Sequence, residues 1–86
     1  MSRYRLAYAP TAAKELGKLP RNIAERILEA IRRLAMDSRP RGCKKLEGET
    51  AWYRIRVGNY RVIYTVSDED LTVRILRVGH RKDVYR

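Results

Sequence analysis

The stretch YRIRVGNYRVIY, residues 53–64, constrains the fold more than any other part of the chain. Apolar and charged residues alternate on both sides of Gly58-Asn59. Strict alternation marks a half-buried strand, and Gly-Asn makes a two-residue loop because both residues tolerate positive φ. The segment therefore predicts a tight antiparallel hairpin, with strands over 52–57 and 60–66. A two-residue loop pairs Val57 with Tyr60, Arg56 with Arg61, Ile55 with Val62, and Tyr53 with Tyr64. Facing residues and those two apart share a sheet face. Tyr53, Ile55, Val57, Tyr60, Val62 and Tyr64 then form one apolar face. Arg54, Arg56 and Arg61 share the other with Ile63. Arg56 opposite Arg61 is a like-charge pair, destabilising by tenths of a kcal/mol up to ~1. A local conflict of this kind is expected at functional sites. A row of guanidinium forks suits a phosphate, and the alternatives are a solvated face or one covered by a partner.

The rest of the chain supplies what must cover the apolar face. Tyr4, Leu6 and Tyr8 alternate as a first strand that Pro10 ends. PTAAKELGKLP predicts a short helix with Ala13, Leu16 and Leu19 as its buried stripe. Ile23, Ile27, Ile31 and Leu34 recur at helical spacing, which predicts an amphipathic helix over 21–36. DSRPRGCKK, residues 37–45, reads as a basic loop and a candidate backbone-binding segment. SDED is a polar turn, and 71–78 is the last strand. The order β-α-α-β-β-β predicts an α+β fold, with a helical hairpin on one face of a four-stranded, mostly antiparallel sheet. Residues 1–86 are expected to form a single domain.

Charge narrows the function. Twenty Lys+Arg against ten Asp+Glu leave a formal net charge of +10. Such a chain seeks polyanions: nucleic acid first, an anionic membrane surface second, with an acidic protein partner as a compatible alternative. The lone Cys43 cannot form an internal disulfide and has no neighbours at metal spacing, which favours a reducing, cytoplasmic setting. No apolar signal segment or membrane-length run is present.

The basic tail offers different chemistry. Tyr85 lies among Arg77, His80, Arg81, Lys82 and Arg86. A free phenol is ionised in about one molecule per thousand at pH 7, and adjacent cations favour the ionised form. His80, the single histidine, is a candidate for acid–base work. There is no paired-carboxylate motif, no CxxC and no Gly-rich phosphate loop. No metal or cofactor is therefore expected. The nuclease route left open is attack by RNA's own 2′-hydroxyl on the adjacent phosphate, which needs positioning, a base, charge stabilisation and an acid.

KKLEG, WYRIRVGNYRVIY and ILRVGHRKDVYR together resemble the RelE/ParE superfamily of bacterial and archaeal toxins, and the resemblance covers the whole chain. The RVG-x-YR-x-x-Y segment is similar to the superfamily pattern. The G-H-R-K-x-x-Y-R ending looks like the RelE branch, whose members cleave mRNA in the ribosomal A site. The resemblance implies that Arg54 and Arg56, often lysines in relatives, hold the phosphate, and that Arg61 contacts it. It implies Arg81 as proton donor or transition-state stabiliser and Tyr85 as the base. Lys44, Lys45, Lys82 and Arg86 are the basic residues placed to bind RNA. His80 stands where lysine is frequent, Glu47 stands where some relatives have arginine, and the stretch from Arg81 to Tyr85 is slightly short. The resemblance also implies a RelB-like antitoxin as partner, together with ribosome and mRNA. A gyrase-poisoning ParE-like binder and an RNA-binding module without chemistry remain as alternatives.

Overall fold

Ile27, Ile31 and Leu34 are fully buried, and they lie along one stripe of a single helix. The computed structural model describes residues 3–46 and 52–80. Strand β1 (Arg5–Tyr8) leads into α1 (Pro10–Gly17) and α2 (Arg21–Leu34). Then follow β2 (Lys44–Leu46), β3 (Trp52–Val57), β4 (Tyr60–Ser67) and β5 (Thr72–His80). Pro10 opens α1, where its missing N–H is no loss. Burying each large aliphatic side chain of the α2 stripe contributes roughly 1.5–3 kcal/mol.

The strands form one five-stranded sheet in the order β1-β5-β4-β3-β2. β1 runs parallel to β5, and the other neighbours are antiparallel. The expected hairpin register holds throughout: Arg56 faces Arg61, Ile55 faces Val62, and Tyr53 faces Tyr64. Positive φ falls on Gly58 (61°), the first loop residue, as in a type II′ turn. Val62, Tyr64, Val73, Ile75 and Val78 join the α2 stripe in the core.

Four details differ from the sequence-based expectation. The sheet has a fifth strand, because Lys44–Leu46 pairs with β3. Two lysines carry no apolar alternation, so this edge is specified by the strand it pairs with; lysines are also what edge strands use to deter further pairing. In α1 the buried alanine is Ala12, while Ala13 is exposed. Leu16 and Leu19 pack against the core as expected, and Ala12, four residues before Leu16, takes the place expected of Ala13. Helix α2 stops at Leu34, with Ala35 as its cap. Strand β5 continues past Val78 to His80.

A polar clamp joins the segments around the end of α2. Arg39 donates from both terminal guanidinium nitrogens, Nη1 and Nη2, to Asp68, at 3.3 and 3.0 Å, and its Nε donates to Tyr53 Oη at 3.0 Å. The guanidinium carbon sits 5.2 Å from the Tyr53 ring centroid. Tyr4 donates to the same carboxylate at 2.6 Å, and Tyr64 donates to the Ser38 carbonyl at 2.8 Å. The loop arginine closest to α2 therefore serves the fold rather than a ligand. Hydrogen bonds from Arg39 and then Tyr4 hold Asp68 below the ordinary carboxylate range. Burial, above all, pushes the Tyr64 phenol up.

Candidate nucleic-acid interface

Because facing residues share a side, the register sorts every strand residue onto the helix side or the open side. Arg61 on β4 has Arg56 on one flank and Gly79 on the other. One step along, Ile63 faces Arg54, which in turn faces Lys44. This places Lys44, Arg54, Arg56 and Arg61 together on the open side. Arg56 is exposed, whereas Arg54 and Arg61 are half-buried, and the Arg54 Nε atom is fully buried. The closing pair of a two-residue hairpin is hydrogen-bonded, so Arg56 and Arg61 form the next, non-hydrogen-bonded pair. There Cα atoms stand only ~4.5 Å apart and side chains are closest.

Ile63 is only 3 % exposed although it lies on the open side, away from the helix-side core. Its facing residue is Arg54, itself half-buried with its Nε atom fully buried.

Other expected site residues are distributed differently. Lys45 faces Tyr53 and so takes the helix side, apart from Lys44. Arg77, grouped with the tail cations by sequence, is paired with Glu15 of α1: Nε and Nη2 donate to the carboxylate at 3.0–3.2 Å. Glu15 also accepts the Val78 N–H at 2.8 Å. His80 faces Tyr60, and the two rings meet edge-on at 5.7 Å. That is the helix side, across the sheet from Arg61. Arg81, Lys82, Tyr85 and Arg86 lie outside the described residues, as does Glu47.

Alternation also carries residues onto the open side that the sequence reading did not single out. Arg5 faces Thr72, Ala7 faces Arg74, Arg74 faces Thr65, and Thr65 faces Trp52. With Leu6, Ser67 and Asp70, these residues other than Trp52 line a shallow cavity of about 480 Å³. The signal was available: Leu6 and Val73 point inward, so Arg5 and Arg74 must point outward. Among the described residues no cluster of three or more His, Cys, Asp or Glu side chains could hold a metal, and no helix is long and apolar enough to cross a membrane.

The family model for the ParE toxin of type II toxin–antitoxin systems matches residues 6–85. Toxin RelG of Mycobacterium tuberculosis is 40% identical over 85 residues, covering 96% of this chain and 97% of its own. The chain belongs to the RelE/ParE toxin superfamily. Solved relatives have the same fold. The RelE–RelB complex from Pyrococcus horikoshii matches with a TM-score of 0.82 at 34% identity, over 95% of this chain and 99% of that one. The RelBE2 toxin–antitoxin complex from Mycobacterium tuberculosis matches at 0.81 and 39%, over 96% and 97%. The cationic open face is therefore that of a RelE/ParE toxin.

Proposed function

We propose that this chain is a cytoplasmic, ribosome-dependent endoribonuclease that cleaves mRNA in the A site and so inhibits translation. The observation that carries the reading is the row of Arg54, Arg56 and Arg61 on a sheet face that the helices leave open. β5 ends at His80, opposite Tyr60. The last described residues, Gly79 and His80, lie beside Arg61 and Tyr60.

In this reading the three arginines grip the scissile phosphate and stabilise charge as it builds on the phosphorane-like state. Tyr85 takes the proton from the 2′-hydroxyl, whose oxygen attacks the phosphorus. Arg81 stabilises the departing 5′-oxygen and donates the proton with which it leaves; the guanidine then regains a proton from water, and the Tyr85 phenol releases its own to water. The products carry a 2′,3′-cyclic phosphate and a 5′-hydroxyl. All of this uses the chain's own residues and needs no metal. His80, packed against Tyr60, is given no direct step. The names of the solved RelBE complexes support a RelB-like antitoxin as the partner that restrains the cleft.

The test is translation with purified ribosomes and 5′-end mapping of the mRNA. Arg61→Ala, Arg81→Ala and Tyr85→Phe should each lower cleavage, with loss of the base worth ~10²–10⁴ in rate. Wild-type cleavage by Tyr85→Phe would remove it as the base. A second reading is favoured by the matching ParE description: a gyrase poison without nuclease activity. Gyrase-dependent DNA breaks with mRNA intact would establish it.

A further inference from the structure

The arginine row occupies only one end of the open face. The other end holds Arg5 and Arg74 around the hydroxyl residues Thr65, Ser67 and Thr72. From Arg61 to Ser67 along β4 is about 20 Å at ~3.3 Å per residue. On β3, two residues before Arg54 and level with Arg74 across Thr65, stands Trp52, the chain's single tryptophan and 42 % exposed. It shares the open side with Thr65 in front and Arg54 two residues on. The turn after Ser67 carries three acids: Asp68, held by Arg39 and Tyr4, exposed Glu69, and Asp70, which accepts a hydrogen bond from Ser67 Oγ at 3.1 Å. Of these, Asp70 alone lines the cavity with Arg5 and Arg74.

An exposed indole flanked by spaced cations has little use in a merely solvated face. It matches what single-stranded nucleic acid needs: a flat apolar platform for a base, with cations at the spacing of the backbone. Resting on the nuclease reading, we propose that Trp52 stacks a base of the mRNA strand next to the cleaved position, and that Arg74 and Arg5 hold a further phosphate of that strand. Trp52 is then a binding and positioning residue, and the open face is one continuous track from the cleavage row to β1. Indole stacking is tolerant of base identity, so the subsite adds affinity and alignment. A duplex, whose bases are already stacked, gains nothing from it.

Because Trp52 is the sole tryptophan, its fluorescence reports on this site alone. The probe is a short single-stranded RNA made uncleavable by a 2′-deoxy residue, titrated into the full chain at low salt. Single-stranded RNA should quench the emission, and double-stranded RNA of the same length should not. Stacking worth ~1–3 kcal/mol per base predicts that Trp52→Ala weakens binding about 5–150-fold. Trp52→Leu, which keeps an apolar side chain but no π-face, should lose nearly as much, and Trp52→Phe should recover most of it. Arg74→Ala should reduce the slope of log K against log salt by about 0.7, the value of one single-strand phosphate contact. On programmed ribosomes, Trp52→Leu should raise the toxin concentration needed for half-maximal cleavage more than it lowers the maximal rate. Absent quenching, or Trp52→Leu binding RNA like wild type, overturns the inference. So does a Trp52→Leu defect confined to antitoxin binding, which would assign the face to a protein. If Trp52→Leu binds normally while Arg61→Ala abolishes cleavage, this inference fails and the nuclease reading stands. If wild type binds RNA with quenching yet never cleaves it on ribosomes, the reverse holds.

Discussion

The Arg56–Arg61 pair can be weighed directly. The two face each other across the hairpin, at a position where side chains are closest. With guanidinium centres spread to ~8 Å, Coulomb repulsion is ~0.5 kcal/mol at the dielectric of water and ~2 at an effective dielectric of 20. Arg61 is half-buried and Arg56 exposed. The pair should therefore sit toward the lower figure, at about 0.5–1 kcal/mol, which agrees with like-charge cross-strand pairs. A double-mutant cycle with Arg56→Gln and Arg61→Gln isolates this value from other neighbours. The isolation matters, since Arg54 and Lys44 share the same face. Urea unfolding at ~10 mM salt, where the Debye length is ~30 Å, should give an unfavourable coupling of that size; at ~1 M salt it should vanish. Adding the uncleavable RNA should turn the coupling favourable, because one phosphate then bridges both cations. A zero or favourable coupling in the free protein at low salt would refute the idea that these arginines are held together for an anion.

Three further outcomes test the scaffold. Ile63→Ala should destabilise by ~2–5 kcal/mol even though Ile63 faces away from the helices, which thermal unfolding will show. Glu15→Ala should lose ~1–3 kcal/mol, because the Val78 N–H forfeits a charged acceptor and Arg77 its partner; amide exchange at Val78 should accelerate. Asp68 has a lowered pKa when folded, so its contribution is present above the unfolded value near ~3.9 and is lost as pH falls through the lower folded one. Asp68→Asn should accordingly flatten the fall in stability below about pH 4, measured by urea unfolding across pH 2–6.

Much of this molecule is legible in its residues because local rules decide it. Gly58-Asn59 sets the hairpin register, and the period of two then puts Arg54, Arg56 and Arg61 on one face without reference to the rest of the chain. The α2 stripe is equally local, since Ile27, Ile31 and Leu34 recur on one side of a helix. The family resemblance, by contrast, is spread over the second half of the chain, in KKLEG, WYRIRVGNYRVIY and ILRVGHRKDVYR.

What tertiary structure decides is where local rules are silent or interrupted. Strand β2 exists because β3 offers it an edge, not because two lysines prefer to be extended. Arg39, one cation among several in a basic loop, is withdrawn by Asp68, a partner 29 residues away. Most consequential is the extra residue in β5. Val73 and Ile75 point inward, and uninterrupted alternation would send Val78 and His80 outward, beside the arginines. The register shifts opposite Ile63/Tyr64, and Glu15 satisfies the backbone N–H of Val78 just beyond the shift. Val78 thereby returns to the core, and His80 turns to Tyr60. Alternation along a strand can be read from sequence, but a bulge reverses it from that point on. Only the packing of α1 against β5 shows that the bulge is there.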